Sequence, residues 1–221
     1  MNIQALRLTA LGALTALTVS AAQADTINFI ELTQAVGGYG EGAWTTLNLA
    51  IGGANVAIRG GATTDDDNTQ YAYLDWGNAG LGVCKDLVSG GVADNKNSGS
   101  GANECGPSSD DNTTVNEYLS FIFDKDVVIQ NLWFNNNHDG GLGAGDQISI
   151  DGTSLAVATG YAGGTNGIGP FTVRAGYDFR VAYYNEEFYM SAMQVSQVPE
   201  PATLALLGLG LAGLAGSRRR K

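Results

Sequence analysis

Apolar and polar residues alternate through most of this chain, in short runs separated by clusters of Gly, Asn and Asp. Alternation sends successive side chains to opposite faces and suits a half-buried strand, whereas no long segment between 25 and 198 carries the 3.6-residue apolar period of an amphipathic helix. The pattern predicts strands at 26–32, 45–51, 55–59, 70–75, 117–123, 127–134, 147–150, 154–158, 171–174, 179–184 and 188–195. Ile148-Ser149-Ile150 and Leu155-Ala156-Val157 flank Asp151-Gly152-Thr153-Ser154, which predicts a hairpin because Asp-Gly accepts the positive φ of a tight turn. Short strands of this number imply an all-β fold: a two-sheet antiparallel sandwich, jelly-roll-like, with a terminal signal helix at each end. Tyr71 and Tyr73 share a strand face, as do Phe121 and Phe123, so one such set is expected in the core. The stretch 90–114 is rich in Gly, Asn, Ser and Asp, has little to bury, and reads as a long surface loop.

Both ends break this pattern. Arg7, an apolar run over 8–19 and Ala22-Gln23-Ala24 have the order of a secretory signal peptide, with the mature chain expected to start at Asp25. At the other end come Pro199-Glu200-Pro201, an apolar run over 202–216, and the basic cluster Arg218, Arg219, Arg220 and Lys221. The prolines keep their segment extended and outside any helix or sheet, as a processing enzyme requires of its substrate. The apolar run holds that segment at a membrane, although it is short against the ~20 residues of a full span. The basic cluster keeps the C-terminus cytoplasmic. The chain therefore divides into a signal peptide (1–24), a secreted β-sandwich (25–197) and a sorting signal (198–221).

Pro-Glu-Pro, a short Leu/Ala/Gly-rich span and an Arg-rich end together resemble the PEP-CTERM sorting signal of Gram-negative bacteria. The resemblance implies that Pro199, Glu200 and Pro201 are recognised by an exosortase-type transpeptidase and that Arg218, Arg219 and Arg220 form the retention signal. It also implies Sec-dependent export, transient inner-membrane anchoring, delivery to the cell surface or medium, and an exopolysaccharide or biofilm setting. The body is similar to secreted β-sandwich modules beneath such tails, especially from Gly82-Val83-Cys84 through Cys105 to Ser108-Ser109-Asp110-Asp111-Asn112.

Charge narrows the partners. The segment 25–198 holds six basic and 21 acidic residues, a net charge of −15, which repels nucleic acid and leaves cations or neutral glycans as candidates. Cys84 and Cys105 are the only cysteines, and in an oxidising compartment they are expected to form a disulfide. Two thiolates and the single histidine, His138, fall short of a zinc ligand set of four.

Catalytic motifs are not recognisable. His138 has no G-x-S-x-G partner and reads as a solvated turn residue. Asp75, Glu117 and Asp178 are acids that a polysaccharide hydrolase would have to bring across one cleft. Two binding readings remain. Trp44, Trp76 and Trp133 are candidate platforms for sugar rings, with core packing the competing role. Asn135, Asn137, Asp139 and Asp146 fall at positions 1, 3, 5 and 12 of a calcium-loop spacing with Gly140 at position 6, and a metal-free glycine-rich connection explains the same residues. Asp65-Asp66-Asp67 and Asp110-Asp111 are further acidic clusters. The expected protein is thus non-enzymatic, requires no cofactor, and binds glycan or calcium, the alternatives being a secreted polysaccharide-acting hydrolase and a self-associating matrix component.

Overall fold

The computed structural model describes residues 23–34, 39–64, 70–94, 103–106, 111–198 and 208. Residues 1–22 of the expected signal peptide lie outside them, as do Asp65-Asp66-Asp67, Asp110, Pro199, Glu200, Pro201 and Arg218 to Arg220. Among the described residues no helix is long and apolar enough to cross a membrane.

The elements run β1 (Asp25–Asn28), α1 (Phe29–Gln34), β2 (Gly42–Trp44), β3 (Leu47–Ile51), β4 (Ala54–Ala62), β5 (Tyr71–Asp75), β6 (Gly80–Cys84), β7 (Glu117–Phe123), β8 (Val127–Asn135), β9 (Gln147–Ile150), β10 (Thr153–Ala156), β11 (Phe171–Val173), β12 (Asp178–Tyr183) and β13 (Tyr189–Gln197). They form two antiparallel sheets. One has the order β11-β8-β13-β6-β5-β2 with β1 added along β13, and the other has the order β10-β9-β12-β7-β4-β3. The fold is all-β, as the alternation predicts.

Register shows why alternation works here. Phe121 on β7 pairs with Ile58 on β4 and Phe179 on β12, so three buried side chains cross the second sheet in one row. Phe134, Met190, Leu81 and Leu74 do the same for the first sheet, and both rows belong to one hydrophobic core. Burying each such side chain contributes about 1.5–3 kcal/mol, and the sheets are held together through this shared face. The expected hairpin is present: β9 and β10 pair around Asp151 (φ 48°) and Gly152 (φ 80°).

Three local features depart from the sequence pattern. The predicted strand 26–32 ends at Asn28, whose side-chain oxygen accepts the Glu31 N–H at 3.3 Å and caps the short helix α1. The strands β2 and β6 were not predicted, because both are buried along their whole length and show no alternation. Within 90–114 the described residues are 90–94, 103–106 and 111–114, and among them Asn103, Asn112 and Thr113 are buried, with Thr113 paired to Phe188 beside the start of β13.

Candidate functional site

Four connections meet at one end of the body: the β5–β6 turn at 76–79, the 111–116 segment before β7, the β8–β9 loop at 136–146, and the β12–β13 turn at 184–188. Their contacts are specific. Asn137 donates to the Asn78 carbonyl at 2.8 Å, Asn112 Nδ2 donates to Asp139 and Glu187 at 3.1 Å each, and Asn136 reaches Glu186 at 3.4 Å. Gly82 on β6 makes one of these approaches feasible, since a Cβ there would sit 2.2 Å from the Asp111 carbonyl oxygen. The Cys84–Cys105 disulfide forms as expected, with Cα atoms 5.8 Å apart, and returns the chain to β6 before it reaches Asp111.

The chemistry of this end centres on His138. Its Nδ1 lies 3.0 Å from Asp75 Oδ2, and its Nε2 faces the Gly77 carbonyl at 3.4 Å. The Tyr189 hydroxyl donates to Asp111, and the Tyr189 ring meets the imidazole edge-on at 5.5 Å. Asp75 is 4 % exposed. Burial, then the charge of Asp111, pushes its carboxyl up to about 7 against the opposing influence of His138. Burial, then the charge of Asp75, also holds the Tyr189 phenol above its ordinary value. Among the described residues, Asp75, Asp111 and His138 are the group of His, Cys, Asp or Glu whose ligand atoms all lie within 4.8 Å of one another. Such a set can share protons or hold a cation. His138 is an exposed turn residue, as its surroundings in sequence suggest, and its ring is also anchored to a buried acid 63 positions away, a pairing no local pattern announces.

The calcium-spaced residues have other partners. Asn135 is buried, donates to the Ala79 carbonyl and Ser191 Oγ at 2.6 and 2.8 Å, and accepts the Asn137 N–H at 3.0 Å. The oxygen of Asn137 accepts the Tyr161 hydroxyl at 3.1 Å, and Asp146 accepts the Gly143 N–H at 2.6 Å, closing a turn. Glu186 stands close enough to Asp146 that burial and this neighbour raise its carboxyl above the usual range.

Of the three tryptophans, only Trp76 presents its ring to solvent, at 60 % exposure. It follows Asp75 directly, and the exposed Tyr161 and Tyr184 lie on loops of the same end. Trp133 is core, its indole N–H donating to the Gly164 carbonyl at 3.1 Å. Trp44 is 7 % exposed and packs edge-on against Tyr39 in the wall of an open groove that also includes Asn48 and Asp94. Two of the three hydrolase candidates do not converge, since Asp178 pairs opposite Ile122, five positions along β7 from Glu117, or roughly 17 Å; Asp75, in the other sheet, faces His138.

The body ends as abruptly as it begins. Gln197 closes β13, and the Val198 N–H donates to the Asp126 carbonyl at 3.0 Å. From Gln197 onward, residues 197–220 match the family model of the PEP-CTERM protein-sorting motif. The chain carries a PEP-CTERM sorting signal. That motif implies recognition by an exosortase, export, and membrane-associated sorting in a Gram-negative bacterium. No curated protein and no solved structure matches the chain.

Proposed function

We propose that this chain is an exported, non-enzymatic surface or matrix protein, delivered by an exosortase-type transpeptidase and binding extracellular polysaccharide at the loop end of its body. The observation that carries this reading is a PEP-CTERM signal on a body whose one solvent-facing tryptophan stands among those loops. An exposed indole is a flat apolar surface bounded by polar groups, which suits the apolar face of a sugar ring.

Three features support it. The strand β1 begins at Asp25, immediately after Ala22-Gln23-Ala24, and Asp25 pairs with Val195. Cleavage after Ala24 and near Pro199 therefore removes both membrane-directed segments and leaves the paired end strands whole. The strand order also suits a jelly roll: from β6 onward one sheet reads β6-β13-β8-β11 and the other β7-β12-β9-β10, as two interleaved Greek keys require. As to catalysis, Asp75, one of the two acids of the His138 cluster, is buried beyond the reach of a polymer chain.

The test is intact-mass analysis of the protein recovered from its native host. The expected species starts at Asp25 and lacks the tail beyond the Pro199-Glu200-Pro201 region, while Glu200→Ala or replacement of Arg218 to Arg220 leaves precursor in the inner membrane. Normal release of both variants would overturn the sorting assignment. For the glycan reading, retention on the host's exopolysaccharide should fall about tenfold in Trp76→Ala, the equivalent of ~1.4 kcal/mol of lost stacking. Equal retention of variant and wild type sinks it, and concentration-dependent assembly without glycan favours a self-associating matrix component instead.

A further inference from the structure

We propose that His138 Nδ1, Asp75 and Asp111 form a binding site for one divalent cation of the zinc or manganese class. The site is independent of whether the body binds glycan. Three segments far apart in sequence supply it: the end of β5, the segment returning from the disulfide, and the β8–β9 loop. Two ligands of one ion can be no further apart than twice the metal–ligand distance, about 4.4 Å for bonds of about 2.2 Å and about 4.8 Å for bonds of about 2.4 Å. The three ligand atoms lie within 4.8 Å of one another, so an ion with the longer bonds reaches all three as they stand and zinc draws them in by a few tenths of an ångström.

The hydrogen bonding supplies an observation separate from the clustering. A backbone carbonyl only accepts, so the Gly77 oxygen 3.4 Å from His138 Nε2 suits the tautomer with its proton there, which is the tautomer that a metal on Nδ1 requires. In that tautomer Nδ1 carries a lone pair 3.0 Å from Asp75 Oδ2. Asp75 Oδ2 is itself buried without a hydrogen-bond donor. A shared proton or a metal ion can satisfy this meeting of an imidazole with two carboxylates, and the geometry suits either.

The surroundings are those of a metal site. The Gly77 carbonyl orients the imidazole, and the Tyr189 hydroxyl holds Asp111. Imidazole nitrogen with carboxylate oxygen suits zinc and manganese, whereas calcium takes oxygen alone and softer ions seek thiolates, here consumed in the disulfide. His138 is partly exposed, so solvent reaches the ion from its side and fills the remaining coordination positions.

The experiment uses the tag-free exported protein, stripped with chelator, dialysed, and titrated calorimetrically with Zn²⁺, Mn²⁺ and Ca²⁺. One equivalent of Zn²⁺ or Mn²⁺ is expected to bind, and His138→Ala, at a partly exposed position that the fold tolerates, should weaken binding by at least about tenfold to 100-fold. Because the chain has one histidine, ring ¹⁵N resonances need no assignment: Zn²⁺ should move Nδ1 and leave the Nε2 proton in place. Asp111→Asn gives a second variant, its folding checked by the unfolding midpoint. Undiminished binding in His138→Ala would place the ion elsewhere on the acidic surface and overturn the site. Binding of Ca²⁺ alone, or no binding by the wild type at sub-millimolar metal, would also overturn it and leave a simple His138–Asp75 ion pair.

Discussion

The β8–β9 loop and the Asp75–Asp111–His138 cluster occupy the same end of the body, yet they treat their polar groups in opposite ways. In the loop, Asn135, Asn137 and Asp146 spend their side chains on neighbouring backbone and on Ser191 and Tyr161, so the loop is closed by its own hydrogen bonds. In the cluster, two acids and an imidazole are driven together by the fold, and Asp75 Oδ2 has no hydrogen-bond donor. Ligand-like spacing in a sequence and ligand-like convergence in space are therefore different signals. Asn and Asp at alternate loop positions also serve turns and buried connections, whereas acids brought together from distant segments have no obvious local structural use.

The largest expected effect probes the loop side of this comparison. Replacing Asn135 with Ala strips partners from the Ala79 carbonyl, Ser191 Oγ and the Asn137 N–H, and should destabilise the body by about 4 kcal/mol, at ~1–3 kcal/mol per buried group left unsatisfied. The loss should be equal in calcium and in chelator when followed by denaturant unfolding. A loss seen only in calcium would make Asn135 a ligand after all and dissolve the contrast.

The disulfide sharpens the other side. The Cys84–Cys105 link closes 21 positions of sequence and fixes the path toward Asp111, so Cys84→Ser should cost about 3 kcal/mol on the chain-entropy model. Hydrogen exchange should rise at 103–106 and 111–114 while the 136–146 amides keep their protection. Equal loosening of both segments would show that the bridge holds the whole end together.

How much of this was legible depends on whether the information is local. The β9–β10 hairpin was readable because Asp151-Gly152 and two alternating runs specify it within ten residues. The strand β7 was readable because Leu119, Phe121 and Phe123 face the core in alternation. Strand β6 was not, because a wholly buried Gly-Leu-Gly-Val-Cys carries no alternation, and its Gly82 answers to the distant Asp111 backbone. Likewise, Pro199-Glu200-Pro201 could be recognised from its own residues, while the Asp75–His138 contact exists only after β5 and β8 take their places in one sheet. Trp76 differs from Trp133 only in location: a turn exposes one ring and a central strand buries the other.

A smaller effect tests whether the cluster weakens the fold when it lacks a cation. Asp75→Asn relieves the repulsion with Asp111 and supplies an amide N–H that can face His138, so in chelator it should raise stability by about 1 kcal/mol. With Zn²⁺ present the order should reverse, since the wild type gains from binding and the variant does not. If Asp75→Asn lowers stability in both conditions, the His138–Asp75 contact is a net stabilising ion pair and the two regions are alike.

The smallest effect concerns calcium at the loop, tested by Asp139→Ala combined with Asp146→Ala. Asp146 accepts the Gly143 N–H, and Asp139 accepts Asn112 Nδ2, which Glu187 shares. Removing both should cost about 1 kcal/mol, because one turn bond and one of two shared acceptors disappear at a partly solvated surface. For calcium to bind there, the oxygens of Asn137 and Asp146 would have to share their lone pairs with the Tyr161 hydroxyl and the Gly143 N–H, and that competition offsets part of what the ion contributes. Millimolar calcium should therefore shift the thermal midpoint of wild type and double variant by the same small amount. A shift in the wild type that vanishes in the variant would establish a calcium loop at 135–146. Both candidate cation sites of this end would then be real, and the difference in hydrogen bonding between them would no longer predict which one takes an ion.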